Sequence, residues 1–124
     1  MLEQNNEKKP KKYAGILAHP TSFPSPYGIG DLGPGAYQFI DFLAASGLNL
    51  WQVLPLGHTG FGDSPYQPFS AFAGQPLIID IDYLRKKKLL LDEDFSAMPD
   101  WDPEKIDYGT LIEFKTGLLK KAYE

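Results

Sequence analysis

The sequence predicts an α/β fold built on one parallel β-α-β unit, followed by a helical stretch. Three observations carry this. Tyr13–Ala18 and Leu48–Leu54 are short, mostly apolar runs of strand length. Between them, Ala36, Phe39, Ile40, Leu43 and Ala44 fall on one face at helical spacing. The two runs begin about 35 residues apart, room enough for a crossover helix and hence for parallel pairing.

Residues 1–12 read as a disordered polar tail, with Lys8, Lys9, Lys11 and Lys12 as a solvated basic run. Tyr13–Ala18 reads as a short buried strand. His19–Leu32 is a loop shaped by Pro20, Pro24, Pro26, Gly28 and Gly30. Pro34 suits the first position of the helix, where its missing N–H costs nothing. Gly47 suits the position just past the helix end. Leu48–Leu54 departs from apolar character only at Asn49 and Gln52, which predicts a strand buried on both faces.

Parallel strands point the same way, so His19–Leu32 and Pro55–Gln67 should emerge at one edge as neighbours. Downstream, Leu77–Ile81 reads as another short extended piece. Asp82 is placed to cap a brief helix over Tyr83–Lys88. Asp92–Ala97 reads as a further helical turn, and Asp102-Pro103-Glu104 as a helix start. From Tyr108, Leu111, Phe114, Leu118, Leu119 and Ala122 define an amphipathic helix whose pattern runs to Glu124 without a stop signal. The expected division is a tail at 1–12, the β-α-β unit and its loops at 13–76, and a truncated helical insertion at 77–124.

Composition narrows the function. At 124 residues there is room for one domain at most. The net charge of −4 speaks against a nucleic-acid partner. There is no cysteine, so no disulfide framework or thiolate site. No apolar run approaches the roughly 20 residues of a membrane span, and residues 1–12 lack the apolar core of a signal peptide. A cytoplasmic protein without membrane or nucleic-acid partners is the expectation. Two isolated histidines without ligand spacing give no basis for a metal site.

What remains is the loop chemistry. Twelve Gly and eleven Pro, with two Trp, seven Tyr and eight Phe, are many for this length. They either plug loops into a core or present flat faces to a ligand such as a sugar. Gly60-Phe61-Gly62-Asp63-Ser64-Pro65-Tyr66-Gln67 follows a strand end, where a rigid base and sharp turns suit a binding loop.

The motifs stand in order: Gly15-Ile16-Leu17, His19-Pro20-Thr21-Ser22, Pro26-Tyr27-Gly28-Ile29-Gly30-Asp31-Leu32-Gly33, Leu50-Trp51-Gln52-Val53-Leu54-Pro55-Leu56-Gly57, Gly62-Asp63-Ser64-Pro65-Tyr66-Gln67 and Phe69-Ser70-Ala71-Phe72-Ala73-Gly74. Over residues 13–123 the chain strongly resembles the N-terminal part of the 4-α-glucanotransferases, the amylomaltase or disproportionating-enzyme family. The resemblance implies a (β/α)8 TIM barrel with helical insertions, of which this chain holds the first β-α-β unit and part of one insertion. Such a barrel takes about 250 residues. It also implies transfer of α-1,4-glucan segments between maltooligosaccharides, starch or glycogen fragments, with glucose as an acceptor. The chemistry is a retaining double displacement, with an Asp nucleophile and a Glu acid/base roughly 5 Å apart. In the family both come from later strands, so they are expected beyond residue 124.

By the same resemblance Tyr66 lies against the donor sugar and Ser64 hydrogen-bonds nearby. Asp63 could bond sugar hydroxyls, although an Asp in such a turn more often bonds its own backbone. Phe61 stands where the family usually has a Tyr at an accessory glucan site. His58 replaces a usual Pro and Gln75 a usual Asn. His19 could serve a site or hold a loop, and Trp51 reads as core. The alternatives to the transferase are a non-catalytic glucan-binding module and an inactive remnant.

Overall fold

The computed structural model describes residues 12–58, 64, 67, 70 and 72–124. They form β1 (Gly15–Leu17), α1 (Pro34–Ala45), β2 (Leu50–Gln52), α2 (Ile81–Lys86) and α3 (Tyr108–Tyr123). Single 3-10 turns stand at Pro20–Ser22, Pro76–Ile78 and Asp92–Phe95. β1 and β2 pair in parallel, Gly15 opposite Leu50 and Leu17 opposite Gln52. Asn49, one of the two polar exceptions in its run, sets that register. Its Oδ1 accepts from the Ala14 N–H at 3.0 Å, and its own N–H donates to the Ala14 carbonyl at 3.0 Å.

Pro34 opens α1, as the sequence predicts, with Gly33 at the N-cap. The helix closes in a Schellman motif. Leu48 N–H donates to the Leu43 carbonyl at 2.9 Å and Gly47 N–H to the Ala44 carbonyl at 3.1 Å, with Gly47 at φ +71°. α2 ends the same way: Leu89 N–H donates to Leu84 and Lys88 N–H to Arg85. There, however, the left-handed position holds Lys88, at φ +60°. A Cβ in this region is crowded by its own backbone. Lys88→Gly is therefore expected to raise stability by about 0.5–1 kcal/mol, read as a higher urea midpoint. A lowered midpoint would contradict the assignment.

The core sits away from the sheet. One cluster joins Tyr27 to Ile81, Leu90 and Leu118, with Leu84, Phe95 and Phe114 packed on it. A second joins Ile29, Leu77 and Leu111, with Trp101 and Ile106. Thus the loop after β1 is packed under α2 and α3, and the downstream helices carry much of the burial.

Five expectations need correction. The strands are not buried on both faces: Ile16 and Trp51 are partly covered, whereas Leu17 and Leu50 are 56% and 50% exposed. Among the described residues the sheet has two strands, and covering side chains reach one face of it only. On α1, Ala36 and Leu43 are buried and Phe39 is partly covered, but Ile40 and Ala44 stay exposed because nothing described packs on that flank. Leu77–Ile81 is extended only at Ile79 and Asp80. Pro76 starts a 3-10 turn, and Asp80, not Asp82, caps α2 by accepting the Tyr83 N–H at 3.0 Å. Asp102-Pro103-Glu104 starts no helix: Asp102 accepts the Glu104 N–H in a local turn, and the cap of α3 is Asp107.

Candidate functional site

The C-terminal ends of β1 and β2 open onto one edge, and the two following loops meet there. Trp51 Nε1 donates to the Ala18 carbonyl at 2.8 Å. The ring of Trp51 packs on Phe23 and Phe39, with centroids 5.6 and 5.4 Å away. It is a structural residue, as read from the sequence. His19 resolves the same way. Its Nδ1 lies 2.7 Å from Thr21 Oγ1 and its Nε2 lies 3.4 Å from the Pro55 carbonyl oxygen. His19 therefore bridges the loop after β1 to the loop after β2.

The second loop is closed at its base. Gly57 and Gly74 form an antiparallel bridge, and Gln75 N–H donates to the Leu56 carbonyl at 2.8 Å. The sequence-predicted sugar residues lie on the chain between these ends. Phe61, Asp63 and Tyr66 are outside the described residues. Ser64 is partly buried, and its carbonyl accepts the Gln67 N–H at 3.2 Å. Near the far end, Ser70 Oγ accepts the N–H groups of Phe72 and Ala73, both at 3.2 Å, and Phe72 stands fully out in solvent. Gln75 is buried, and its Oε1 has no hydrogen-bond partner among the described residues.

Sequence reasoning missed three residues here. Tyr27, in the Gly/Pro-rich loop after β1, is 3% exposed. Its hydroxyl donates to Asp82, and burial together with that carboxylate pushes the phenol up to about 12. Asp31 is equally buried. It accepts from Gly33 N–H at 3.0 Å and from Ser25 Oγ at 3.3 Å. Burial pushes its carboxyl up, against the pull of the Gly33 N–H and Lys115. Lys115, in the apolar stripe of α3, is wholly buried. Its Nζ donates to the Leu77 carbonyl at 2.6 Å and the Ile79 carbonyl at 3.3 Å, and lies 4.0 Å from Asp31 Oδ2.

Asp31 and Asp80 both close on Gly33, where a Cβ would lie 2.8 Å from Asp31 Oδ1 and 2.9 Å from Asp80 Cγ. This is a pair of carboxylates, but a capping pair. Each accepts a backbone N–H, and Asp31 is shut away from solvent. No group of His, Asp and Glu among the described residues could hold a metal ion. No helix among them is long and apolar enough to cross a membrane. A cleft of about 790 Å³ runs between Thr21–Gly30 and Met98–Ile106, lined by Phe23, Pro26, Met98 and Trp101. Among the described residues, none from the loop after β2 lines it.

A sequence model described as 4-alpha-glucanotransferase matches residues 18–124. The chain belongs to the 4-alpha-glucanotransferase family. A 4-alpha-glucanotransferase of Synechocystis is 48% identical over 113 residues, covering 91% of this chain and 22% of that protein. One from Thermus thermophilus is 50% identical over 109 residues, covering 88% and 21%. Among solved structures, the amylomaltase of Streptococcus agalactiae in complex with acarbose superposes with a TM-score of 0.84 at 44% identity, over 91% of this chain and 23% of that one. The chain thus spans about a fifth of the length of the 4-alpha-glucanotransferases it matches.

Proposed function

We propose that this chain is the N-terminal part of a 4-α-glucanotransferase that moves α-1,4-glucan segments between maltooligosaccharides, starch or glycogen fragments, with glucose as an acceptor. The observation that carries this is the Gly62-Asp63-Ser64-Pro65-Tyr66-Gln67 loop, whose base is pinned at the C-terminal edge of a parallel β-α-β unit. That edge is where α/β barrels place their sites. The uncovered faces of β1, β2 and α1 support a barrel: Leu17, Leu50, Val53, Ile40 and Phe42 are the side chains that further strands and helices would bury.

In this reading Tyr66 lays its ring on the donor sugar, Ser64 hydrogen-bonds beside it, and Phe61 offers a stacking face without a hydroxyl. Asp63 bonds its own turn. The nucleophilic Asp and the acid/base Glu come from outside these 124 residues. The chain's own share is then scaffold and glucan contact, and it requires no cofactor. Retention would come from the double displacement across a carboxyl pair roughly 5 Å apart.

The test has two parts. Maltotriose incubated with the 124-residue chain is expected to give no glucose and no longer oligomers. Turnover would mean that the catalytic pair is present after all. Maltoheptaose should quench tryptophan fluorescence, through Trp51 near the strand ends, and Tyr66→Ala should abolish the quench. Quenching unchanged in that variant would remove Tyr66 from the site.

A further inference from the structure

The short turn Pro76–Ile79 is a junction of three segments. Leu32 N–H donates to the Ile78 carbonyl at 2.9 Å, which ties in the loop after β1. Ile78 N–H donates to the Gln75 carbonyl at 3.3 Å, and Gln75 N–H to the Leu56 carbonyl at 2.8 Å, which ties in the loop after β2. Lys115 ties in α3 through its two bonds to Leu77 and Ile79. Its ammonium thus meets two carbonyl oxygens and, at 4.0 Å, the Asp31 carboxylate.

We propose that Lys115 is a positioning residue: a tethered internal cation that sets where the strand-end junction of Leu56 and Gln75 stands relative to the β1 loop. A lysine is costly to bury. A Leu or Met would fill the same stripe of α3 without that cost, so packing does not explain the choice. Three converging oxygens do, because two carbonyls at the turn would otherwise be left without a donor. The junction carries the ends of the loop assigned to glucan contact. Only that functional consequence rests on the proposed function, and the mechanical link does not.

Hydrogen exchange on the full chain tests the link without any glucan. Lys115→Met keeps the volume and removes the donors. The amides of Gln75 and Leu32 are expected to lose protection at least tenfold, while Ala18 and Asn49, which report on β1–β2 pairing, keep theirs. Equal loss at all four amides, or loss at none, would overturn the proposal.

Should that variant fail to fold, the wild-type chain decides. Burial pushes the Lys115 ammonium down to about 8, against the opposing pull of Asp31 and Asp80. Between pH 7 and 9.5 the Lys115 13Cε, the Leu77 carbonyl 13C and the Gln75 amide 15N should titrate together, with one midpoint near that value. The facing groups, Asp31 and Asp80, are carboxylates, and the Tyr27 phenol is held up at about 12. A Gln75 signal that stays still while Lys115 titrates would sever the junction from the cation and end the proposal.

Discussion

Gly30→Ala is expected to cost more than about 3 kcal/mol and to leave much of the chain unfolded at room temperature. The β1 loop folds back so tightly that a Cβ at Gly30 would press on the Pro20 carbonyl oxygen and lie 2.6 Å from Phe23 N. Both obstacles are backbone, and the 3-10 turn Pro20–Ser22 holds them through Phe23 N–H to Pro20 at 3.1 Å. Gly30 N–H itself donates to the Thr21 carbonyl at 3.1 Å, so the loop cannot widen without losing that bond. Gly117→Ala is the matching control. Nothing lies within 4 Å of a Cβ there, and the residue is inside α3, so alanine should stabilise by about 0.5–1 kcal/mol. Urea unfolding followed by circular dichroism reads both. A Gly30→Ala chain as stable as wild type would refute the tight return of the loop.

Leu111→Ala is expected to lower stability by about 2–5 kcal/mol, while Ile112→Ala stays within about 0.5 kcal/mol of wild type. The two residues are adjacent on α3. Leu111 is fully buried against Ile29 and Leu77, whereas Ile112 is 44% exposed. Loss of Leu111 opens a cavity at the place where α3, the β1 loop and the Pro76–Ile78 turn meet, and backbone there is held by the Lys115 bonds and cannot readily collapse. Similar costs for the two variants would mean that α3 docks through a different face.

The β-α-β unit was legible because each of its signals is local. Pro34 and Gly47 mark the helix by backbone chemistry, and apolar runs mark the strands. Burial of those strands was not legible, since it depends on what lies across the sheet. Asp80 and Asp82 are two residues apart, and either could have capped α2. The backbone decides for Asp80, which stands extended just before the helix and accepts the Tyr83 N–H. Tyr27 was one of the loop aromatics that could equally plug a core or face a ligand. Its partners Ile81, Asp82 and Leu118 lie more than fifty positions away, beyond any sequence window. Lys115 did leave a trace: it stands four residues after Leu111 and three before Leu118, inside the apolar stripe. A lysine at that spacing signals either a kinked pattern or a buried cation, and Leu77, Ile79 and Asp31 settle it as the latter. The candidate sugar residues were found by motif alone, since Phe61, Asp63 and Tyr66 lie outside the described residues.

The bridge between Gly57 and Gly74 has a consequence for variation. With the two ends fastened to each other and Gln75 bonded to Leu56, closure of the intervening chain is set at its base. Doubling its length would cost only about 0.6 kcal/mol of closure entropy. Changes of length in the span from 58 to 73 are therefore expected to cost little in closure entropy, so that the pinned base is a point at which loop length and ligand preference can vary together.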